Sequence, residues 1–452
     1  MRGFQPLRFD IKPPQFKTYP GAEVLSLPDD LSAAKPGRFD AAGLGRLLFL
    51  SGGVVRYLDT PHGPLWFRAA GSAGNLSPLE LYVVTGELSD VAAGVYHYEP
   101  VEHGLVRLGD APADTPPALV VTGVPWRTTW KYRERGFRHL WWDAGTMLAQ
   151  TLLVAGLDAS IELAFVDRQV AALVGAEDPH ELPLAVVGLQ GPASLPEPAP
   201  GSAAPLPGHL GDDPFEFPLV TAAFRAGELA DAAEVAAWRD AAAAFDEREP
   251  PGSGWFTFPS VDNTIRRRGS SRQFDPAKPG SRELLEDGLG WAASEVAVDF
   301  VAPGGTLLDH FLIVHSLGGY APGAYRFAFE GLEPIRPGAL RDNARHLTLD
   351  QSIGGDGAYT VFHSAHLAEV TAALGDRGYR GAQLEAGVVE GRLHLAAYAL
   401  GYGATGLTFY DEEVSRFFST DASPMLVTAV GVPAYKSRPG GTPRHPVRMV
   451  PQ

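Results

Sequence analysis

The stretch "ERGFRHLWWDAGTMLAQTLLVA" (134–155) has a counterpart later in the chain, "DRGYRGAQLEAGVVEGRLHLAA" (376–397). Both begin with the pattern acidic-Arg-Gly-aromatic-Arg, and both continue with acidic-Ala-Gly at the same offset. A second pair of similar segments, "AGVYHYEPVEHGLVRL" (93–108) and "PGAYRFAFEGLEPIRP" (322–337), occurs in the same order, and each predicts a strand, a turn and a return strand. Two repeats in one order indicate a duplicated domain.

Each copy predicts the same α+β succession of a helix, a strand hairpin, a further strand such as "ALVVTG" (118–123), a long helix and a final strand. Between the copies the chain is rich in Pro, Ala and Gly and has no apolar periodicity, which is typical of a semi-rigid linker. The predicted division is an N-terminal domain at 1–190, a linker at 191–214 and a C-terminal domain at 215–452.

Both long helices carry small residues at their centre, Ala144 and Gly145 in the first copy and Ala386 and Gly387 in the second. Gly inside a helix costs about 1 kcal/mol relative to Ala, so its presence usually indicates close packing against another helix. If the two copies pack through these helices, the fold is an internal pseudo-dimer.

The composition excludes several classes of protein. The chain has 452 residues, 53 acidic against 37 basic residues, a formal net charge of −16 and no cysteine. Disulfides, thiolate zinc sites and cysteine nucleophiles are therefore excluded, and nucleic acid and acidic membrane surfaces are not expected partners. No histidine pair with a carboxylate shows metal-ligand spacing. We find no signal-peptide core and no membrane-spanning apolar run, so we expect a cytoplasmic location.

A cationic stretch, "TIRRRGSSRQFDP" (264–276), stands out against this acidic background. Arginines combined with hydroxyls favour a small ligand that carries a phosphate, because guanidinium groups form charge-assisted hydrogen bonds to it. The alternative is an arginine-rich turn at the solvated surface.

Several motifs resemble those of one known family. "RRRGSSRQF" and "RAAGSAGNLSPLELYVV" (68–84) resemble the phosphate-binding and flavin-contacting segments of FMN-dependent nitroreductases. "AGVYHYEP", "KYRERGFR" (131–138) and "YRGAQLEAG" (379–387) narrow the resemblance to SagB-type dehydrogenases, which include the azoline oxidases of thiazole/oxazole-modified peptide biosynthesis. The resemblance covers about residues 40 to 438, apart from the linker and a helical insert (230–247).

The resemblance implies two nitroreductase-like domains, each an antiparallel-rich sheet flanked by helices, with flavin sites assembled from both. It places the phosphate clamp at Arg268, Ser270 and Arg272, and a basic pair at Lys436 and Arg438. It places the flavin-edge segment at Ser72, Ala73, Gly74 and Asn75. Further backbone contacts to the flavin are expected at Gly403, Thr405 and Gly406. The second half has no Ser-x-Gly-Asn at the equivalent place (299–315), so one FMN per chain is expected. The segment around Asn75 also fits a plain turn, and the glycines near Thr405 also fit a helix cap.

Lys131 and Tyr132 occupy the Lys-Tyr pair that, by this resemblance, handles a proton beside the flavin. The second copy has Ala373 and Leu374 there. The alternative places Lys131 on the surface and Tyr132 in the core. From the comparison with tandem members of the family that the chain resembles, we expect an N-terminal segment to be missing or shortened here.

Three hypotheses follow. The first is an FMN-dependent oxidoreductase acting on a small molecule or a modified peptide, with NAD(P)H as a candidate reductant. The second is a catalytically inactive flavin-binding or scaffold homologue in a peptide-modification pathway. The third is a flavin-free structural protein whose arginines only form surface ion pairs.

Overall fold

The structure is a computed structural model, and it describes residues 7–35, 37–61, 63–198, 207–208, 215–245, 248–252 and 254–450. Most of the predicted linker, residues 199–206 and 209–214, lies outside the described residues. The strands, in chain order, are β1 (Val24–Ser26), β2 (Val54–Thr60), β3 (Gly63–Arg68), β4 (Leu79–Thr85), β5 (Gly94–Glu99), β6 (Gly104–Gly109), β7 (Ala118–Gly123), β8 (Ser160–Glu162), β9 (Leu182–Gly188), β10 (Asp309–Val314), β11 (Gly323–Ala328), β12 (Gly331–Pro337), β13 (Tyr359–Ala365), β14 (Gly403–Leu407), β15 (Ser423–Gly431) and β16 (Val447–Arg448).

The α-helices are α1 (Ala41–Gly52), α2 (Pro125–Tyr132), α3 (Gly136–Ala155), α4 (Asp167–Val174), α5 (Pro218–Ala226), α6 (Ala232–Ala244), α7 (Val261–Arg267), α8 (Gly290–Ala292), α9 (Arg341–Leu347), α10 (Ile353–Asp356), α11 (Leu367–Ala399) and α12 (Asp411–Phe418). Within the described ranges, none of these helices combines the length and the apolar character needed to cross a bilayer.

The chain divides into two compact units. Unit 1 comprises residues 1–144, 154–237 and 441–452, and unit 2 comprises residues 145–153 and 238–440. Helix α5 therefore belongs to unit 1 although it follows the linker. Helix α6 is divided between the units after Ala237, and nine residues of α3 belong to unit 2. These units are defined by how compactly the chain is folded. The domain boundaries that the sequence repeat predicts are a separate matter and stay a prediction.

Unit 1 is built on a seven-stranded sheet with the order β1-β6-β5-β4-β7-β9-β8, in which every neighbouring pair is antiparallel. The hairpin predicted at 93–108 is β5–β6, with Tyr96 opposite Arg107. Strand β7 matches the predicted "ALVVTG" and is buried along its whole length, because it lies near the middle of the sheet. Tyr82, Val120 and Val186 on three neighbouring strands pack into the core against α4.

Unit 2 contains a six-stranded antiparallel sheet with the order β12-β11-β10-β13-β15-β14. The hairpin predicted at 322–337 is β11–β12. The predicted long helix lies within α11, which is kinked at Gly375, where φ is +62°. Glycine adopts a positive φ readily because it has no Cβ atom. The long regular part of α11 begins just after Gly375, at the start of the repeated motif.

The central glycine of α3 allows the close packing that the sequence predicted. Gly145 lies in unit 2, and a Cβ atom placed on it would lie 2.3 Å from the Leu384 carbonyl oxygen and 2.6 Å from the Val388 nitrogen. Any side chain at this position would push α3 away from the backbone of α11. The glycine therefore serves helix packing, whereas the internal pseudo-dimer stays a prediction.

Candidate functional site

The flavin-edge segment (72–75) lies in unit 1, between β3 and β4, and is shaped by its glycine. Gly74 has a φ of +62°, and a Cβ atom placed on it would lie 2.8 Å from both Lys131 Nζ and Tyr132 Oη. The positive φ favours glycine here, and a Cβ atom would require the ends of the Lys131 and Tyr132 side chains to shift. The structure thus brings the predicted Lys-Tyr pair directly against the predicted flavin-edge segment.

Side-chain hydrogen bonds hold the flavin-edge segment in place. Ser72 Oγ donates to Asp143 Oδ2 over 2.6 Å, and the Ala73 N–H donates to Asp143 Oδ1 over 3.0 Å. Asn75 Nδ2 donates to the Trp66 carbonyl oxygen over 2.8 Å. The Ser72 hydroxyl proton and one Asn75 amide proton are thus used inside the protein, so the backbone around Gly74 is the part of the segment best placed to meet a ligand.

The second copy has equivalent hydrogen bonds. Thr306 Oγ1 and the Leu307 N–H both donate to the Glu385 carboxylate, and Glu385 stands where Asp143 stands in the repeat. Sequence reasoning missed the role of Asp143, although the recurring acidic-Ala-Gly pattern was a signal for it. Burial raises the pKa of Glu385 to about 7, against the opposing effect of the Thr306 and Leu307 hydrogen bonds.

We expect Glu385 to make the protein less stable as the pH rises from about 4.5, the ordinary pKa of glutamate, to about 7. The folded state binds this proton more tightly than the unfolded state, so its stabilising effect is complete in acid and is lost as the folded group ionises. Between pH 4.5 and pH 8, the free energy of unfolding of the Glu385→Gln variant should rise relative to wild type by on the order of 3 kcal/mol. Urea titrations at both pH values test this, and a pH-independent difference would contradict it.

Lys131 and Tyr132 end helix α2 and have shifted proton affinities. Burial, assisted by the charge of Asp143, raises the pKa of Tyr132 to about 12. Partial burial lowers the pKa of Lys131. Lys131 Nζ lies 5.2 Å from the centre of the Tyr132 ring. At neutral pH the phenol keeps its proton, whereas the lysine releases its proton more readily than a fully solvated lysine.

The clamp segment (268–275) lies in unit 2 and runs between β14 and the chain that follows β15. Backbone hydrogen bonds hold it on both sides: Ser271 N–H to Ala404 O at 2.9 Å, Ala434 N–H to Gln273 O at 3.0 Å and Asp275 N–H to Val432 O at 2.8 Å. The Arg272 N–H also donates to Tyr435 Oη over 3.0 Å. The predicted clamp therefore lies beside the predicted backbone contacts in β14 and close in sequence to the basic pair.

The two clamp arginines differ in their surroundings. Arg268 is 4% exposed, and burial lowers its pKa while nearby Tyr398 and Glu390 act in the opposite direction. Arg272 is exposed, as are Ser270 and the basic pair Lys436 and Arg438. Arg272 is therefore the arginine that solvent, or an anion from solvent, reaches directly.

Sequence reasoning also missed Glu390, which lies beneath β14. Its carboxylate accepts a hydrogen bond from Thr146 Oγ1 at 2.6 Å and lies 3.2 Å from His394 Nε2. A Cβ atom on Gly406 would lie 2.5 Å from Glu390 Oε1. Although burial opposes ionisation, His394, Thr146 and Arg268 together lower the pKa of Glu390. The exposed backbone at Gly406 is thus in close contact with the buried Glu390 carboxylate.

Comparison with known proteins identifies the fold. No family model matches the chain. Three of the similar proteins carry the name putative nitroreductase. The first, from Methanocaldococcus jannaschii, is 30% identical over 126 residues, a match that spans 24% of this chain and 64% of that protein. A crystal structure from Anabaena variabilis has a TM-score of 0.75 and 22% identity, and the match covers 95% of this chain and 96% of that one. The third, from Ralstonia eutropha, has a TM-score of 0.33 and 21% identity, with 41% and 88% covered.

The chain therefore has a nitroreductase-like fold. Its likeness to the Anabaena structure extends over nearly all of both chains. With a large antiparallel sheet flanked by helices in each unit, this confirms the predicted α+β class and the two nitroreductase-like domains. The chain spans just under two thirds of the Methanocaldococcus relative.

Proposed function

We propose that the chain is an FMN-dependent oxidoreductase, a SagB-type dehydrogenase of the nitroreductase superfamily, with one composite FMN site. The observation that carries this proposal is the placement of Lys131 and Tyr132 against Gly74. The names of the Methanocaldococcus and Anabaena proteins, both putative nitroreductases, support it. The substrate in this proposal is a small molecule or a modified peptide, NAD(P)H is a candidate reductant, and the location is cytoplasmic.

The residues present fit the chemistry of FMN. Its phosphate is a dianion, and the clamp segment offers it an exposed guanidinium at Arg272 and an exposed hydroxyl at Ser270. Its flat ring system needs close approach to the backbone, and Gly74 provides an exposed backbone position without a Cβ atom, next to the ends of the Lys131 and Tyr132 side chains. These two groups of residues lie in different units, so the composite site is part of the proposal.

FMN, when bound, would accept or give a hydride at its N5 atom, which is redox chemistry that amino-acid side chains do not supply. The residues of the chain then handle the proton that accompanies the hydride. Lys131 is suited to take up that proton, because burial lowers its pKa. Tyr132 stays protonated, because its pKa is about 12, and it can donate a hydrogen bond to a reacting atom. Asp143 and Ser72 hold the segment against which both act.

A simple experiment separates the three hypotheses. A purified protein that is yellow and shows the oxidised-flavin absorbance rules out a flavin-free structural protein. Bleaching of that absorbance by NAD(P)H or by a substrate, with turnover, supports the oxidoreductase. A flavin that dithionite reduces, but that no substrate or NAD(P)H turns over, favours the inactive flavin-binding or scaffold homologue.

We expect one FMN per chain. Only the first half carries both the flavin-edge segment and the Lys-Tyr pair, and only the second half carries the clamp. The measurement is the flavin absorbance released on denaturing the holoprotein, divided by the protein concentration from amino-acid analysis. Two flavins per chain would contradict the composite site.

A further inference from the structure

Arg127 lies on α2 one helical turn before Lys131, is 1% exposed, and holds that helix at three points. Its Nη1 lies 2.6 Å from Glu80 Oε1 and 3.1 Å from the Ser77 carbonyl oxygen, to which it donates. Its Nε donates to the Pro14 carbonyl oxygen over 2.8 Å. Ser77 comes two residues after the flavin-edge segment, so this side chain ties the helix of the Lys-Tyr pair to the segment that the pair faces.

Net stability alone does not explain this buried ion pair. Removing two charges from water costs about as much as their attraction returns, and buried pairs can often be replaced by apolar residues without loss of stability. A planar guanidinium with several fixed donors does, however, define direction closely. Three acceptors on two separate segments, Pro14 and the stretch 77–80, therefore fix the position and rotation of α2.

The second copy does not have this arrangement. At the offset that relates the two long helices, Arg127 corresponds to Glu369, which is exposed and forms an ion pair with Arg248 at 2.7 Å. The same copy also has no Lys-Tyr pair, because Ala373 and Leu374 stand there. The buried arginine and the pair thus occur together in the first copy and are both missing from the second.

We infer that Arg127 is a positioning residue: its bonds to Glu80, Ser77 and Pro14 set helix α2 so that Lys131 and Tyr132 meet Gly74. This inference rests on the proposed function for the importance of the pair. The placement itself can be measured without cofactor or substrate.

The test replaces both charges together, as Arg127→Met with Glu80→Gln, so that neither partner of this pair is left buried alone. Buried Arg68, whose Nη2 lies 3.8 Å from Glu80 Oε2, loses that carboxylate in the variant. The matched control is Lys17→Met with Glu181→Gln, another buried ion pair of unit 1, whose side chains bond Tyr82 and form no hydrogen bond to α2. The Lys17 backbone N–H, which donates to Glu80 Oε1, is kept in this control. The first readout uses apoprotein labelled with 3-fluorotyrosine. The ¹⁹F signal of Tyr132, assigned with Tyr132→Phe, is followed as the pH is raised.

We expect the Tyr132 titration to move to lower pH in the Arg127/Glu80 variant, because the phenol loses its fixed, buried position, and to stay unchanged in the control. An unchanged titration in a folded Arg127/Glu80 variant would overturn the inference. If that variant fails to fold, Arg127→Lys replaces it, since lysine keeps the charge but cannot reach all three acceptors. It should shift the titration in the same direction, and an unchanged titration would again overturn the inference.

The second readout is turnover of the holoenzyme at matched flavin content. The Arg127/Glu80 variant should be slower by roughly 10- to 100-fold, the scale of a misplacement of about 1 Å. In the Tyr132→Phe background this loss should shrink, because the two changes act on one interaction. Full additivity would overturn the positioning role. If Tyr132→Phe and Lys131→Ala both leave turnover unchanged, the proposed function fails. The tyrosine titration in the apoprotein then still tests whether Arg127 positions Tyr132.

Discussion

Replacing Arg268 and Arg272 with alanine is expected to lower the affinity for FMN by about two to four orders of magnitude and to leave riboflavin binding nearly unchanged. Each guanidinium can form charge-assisted hydrogen bonds to the phosphate, worth roughly 1.5–3 kcal/mol, and riboflavin has no phosphate. Equilibrium titration of the apoprotein with both flavins, monitored by flavin fluorescence, measures the two dissociation constants. Because salt screens exposed charges, the titrations need one fixed ionic strength.

The structure shows how to separate a phosphate contact from a structural role. Arg268 is 4% exposed and close to Glu390 and Tyr398, so its removal also disturbs the interior of unit 2. Arg272 is exposed, and its single replacement should weaken FMN binding without lowering the unfolding temperature. Arg267→Ala removes the same charge from the end of helix α7, five residues before Arg272, and serves as the control. Equal losses for FMN and riboflavin would show that the arginines maintain the fold and do not bind the phosphate.

The features of the fold that could be predicted were those with a local pattern. The two hairpins alternate apolar and polar residues, β7 is a short apolar run between turn residues, and the repeat marks the long helices. The close packing at Gly145 could be predicted because glycine inside a helix costs stability unless another backbone approaches it.

Features that depend on distant partners could not be predicted. The Ser72–Asp143 bond joins residues 71 positions apart, and the clamp segment pairs with β14 through single backbone bonds that leave no periodic pattern. The boundaries of the compact units could not be predicted either, because helices α3 and α6 each contribute residues to both units. Residue type can suggest a flavin-edge segment, but only the three-dimensional structure shows that the Ser72 hydroxyl proton is already donated to a carboxylate.

Burial alone does not distinguish a catalytic from a structural role for Lys131 and Tyr132. Lys131 still reaches solvent although its neighbours partly enclose it, and Tyr132 is half-buried. Their position against Gly74 is the sharper observation, since a surface lysine and a core tyrosine have no reason to meet at one exposed glycine with a positive φ. A kinetic test is therefore needed, and the structure determines its controls.

We expect Lys131→Ala and Tyr132→Phe to retain FMN and to slow turnover by about 10²- to 10⁴-fold, the usual contribution of general acid–base assistance. If Lys131 takes up the proton, wild-type kcat/KM rises with pH as the lysine deprotonates, at a pH below the ordinary lysine value because burial lowers its pKa. Lys131→Ala should lose that rise, whereas Tyr132→Phe should keep it at a lower rate. The control is Lys12→Ala. Lys12 lies close enough to Lys131 for the charge of Lys131 to lower the pKa of Lys12, and its removal should leave turnover close to wild type.

The measurement is stopped-flow reduction and reoxidation of the flavin, made on holoproteins of matched flavin content because a lost cofactor would imitate a lost catalyst. Unchanged rates in both variants, for a substrate that the wild type turns over, would show that Lys131 is only a surface residue and Tyr132 only a core residue, without catalytic roles. Loss of activity in Lys131→Ala with an unaltered pH profile would instead assign the lysine to substrate binding. Only a loss of both the rate and the pH-dependent rise identifies Lys131 as the proton acceptor, because a binding contact and a packing contact each leave the shape of the profile intact.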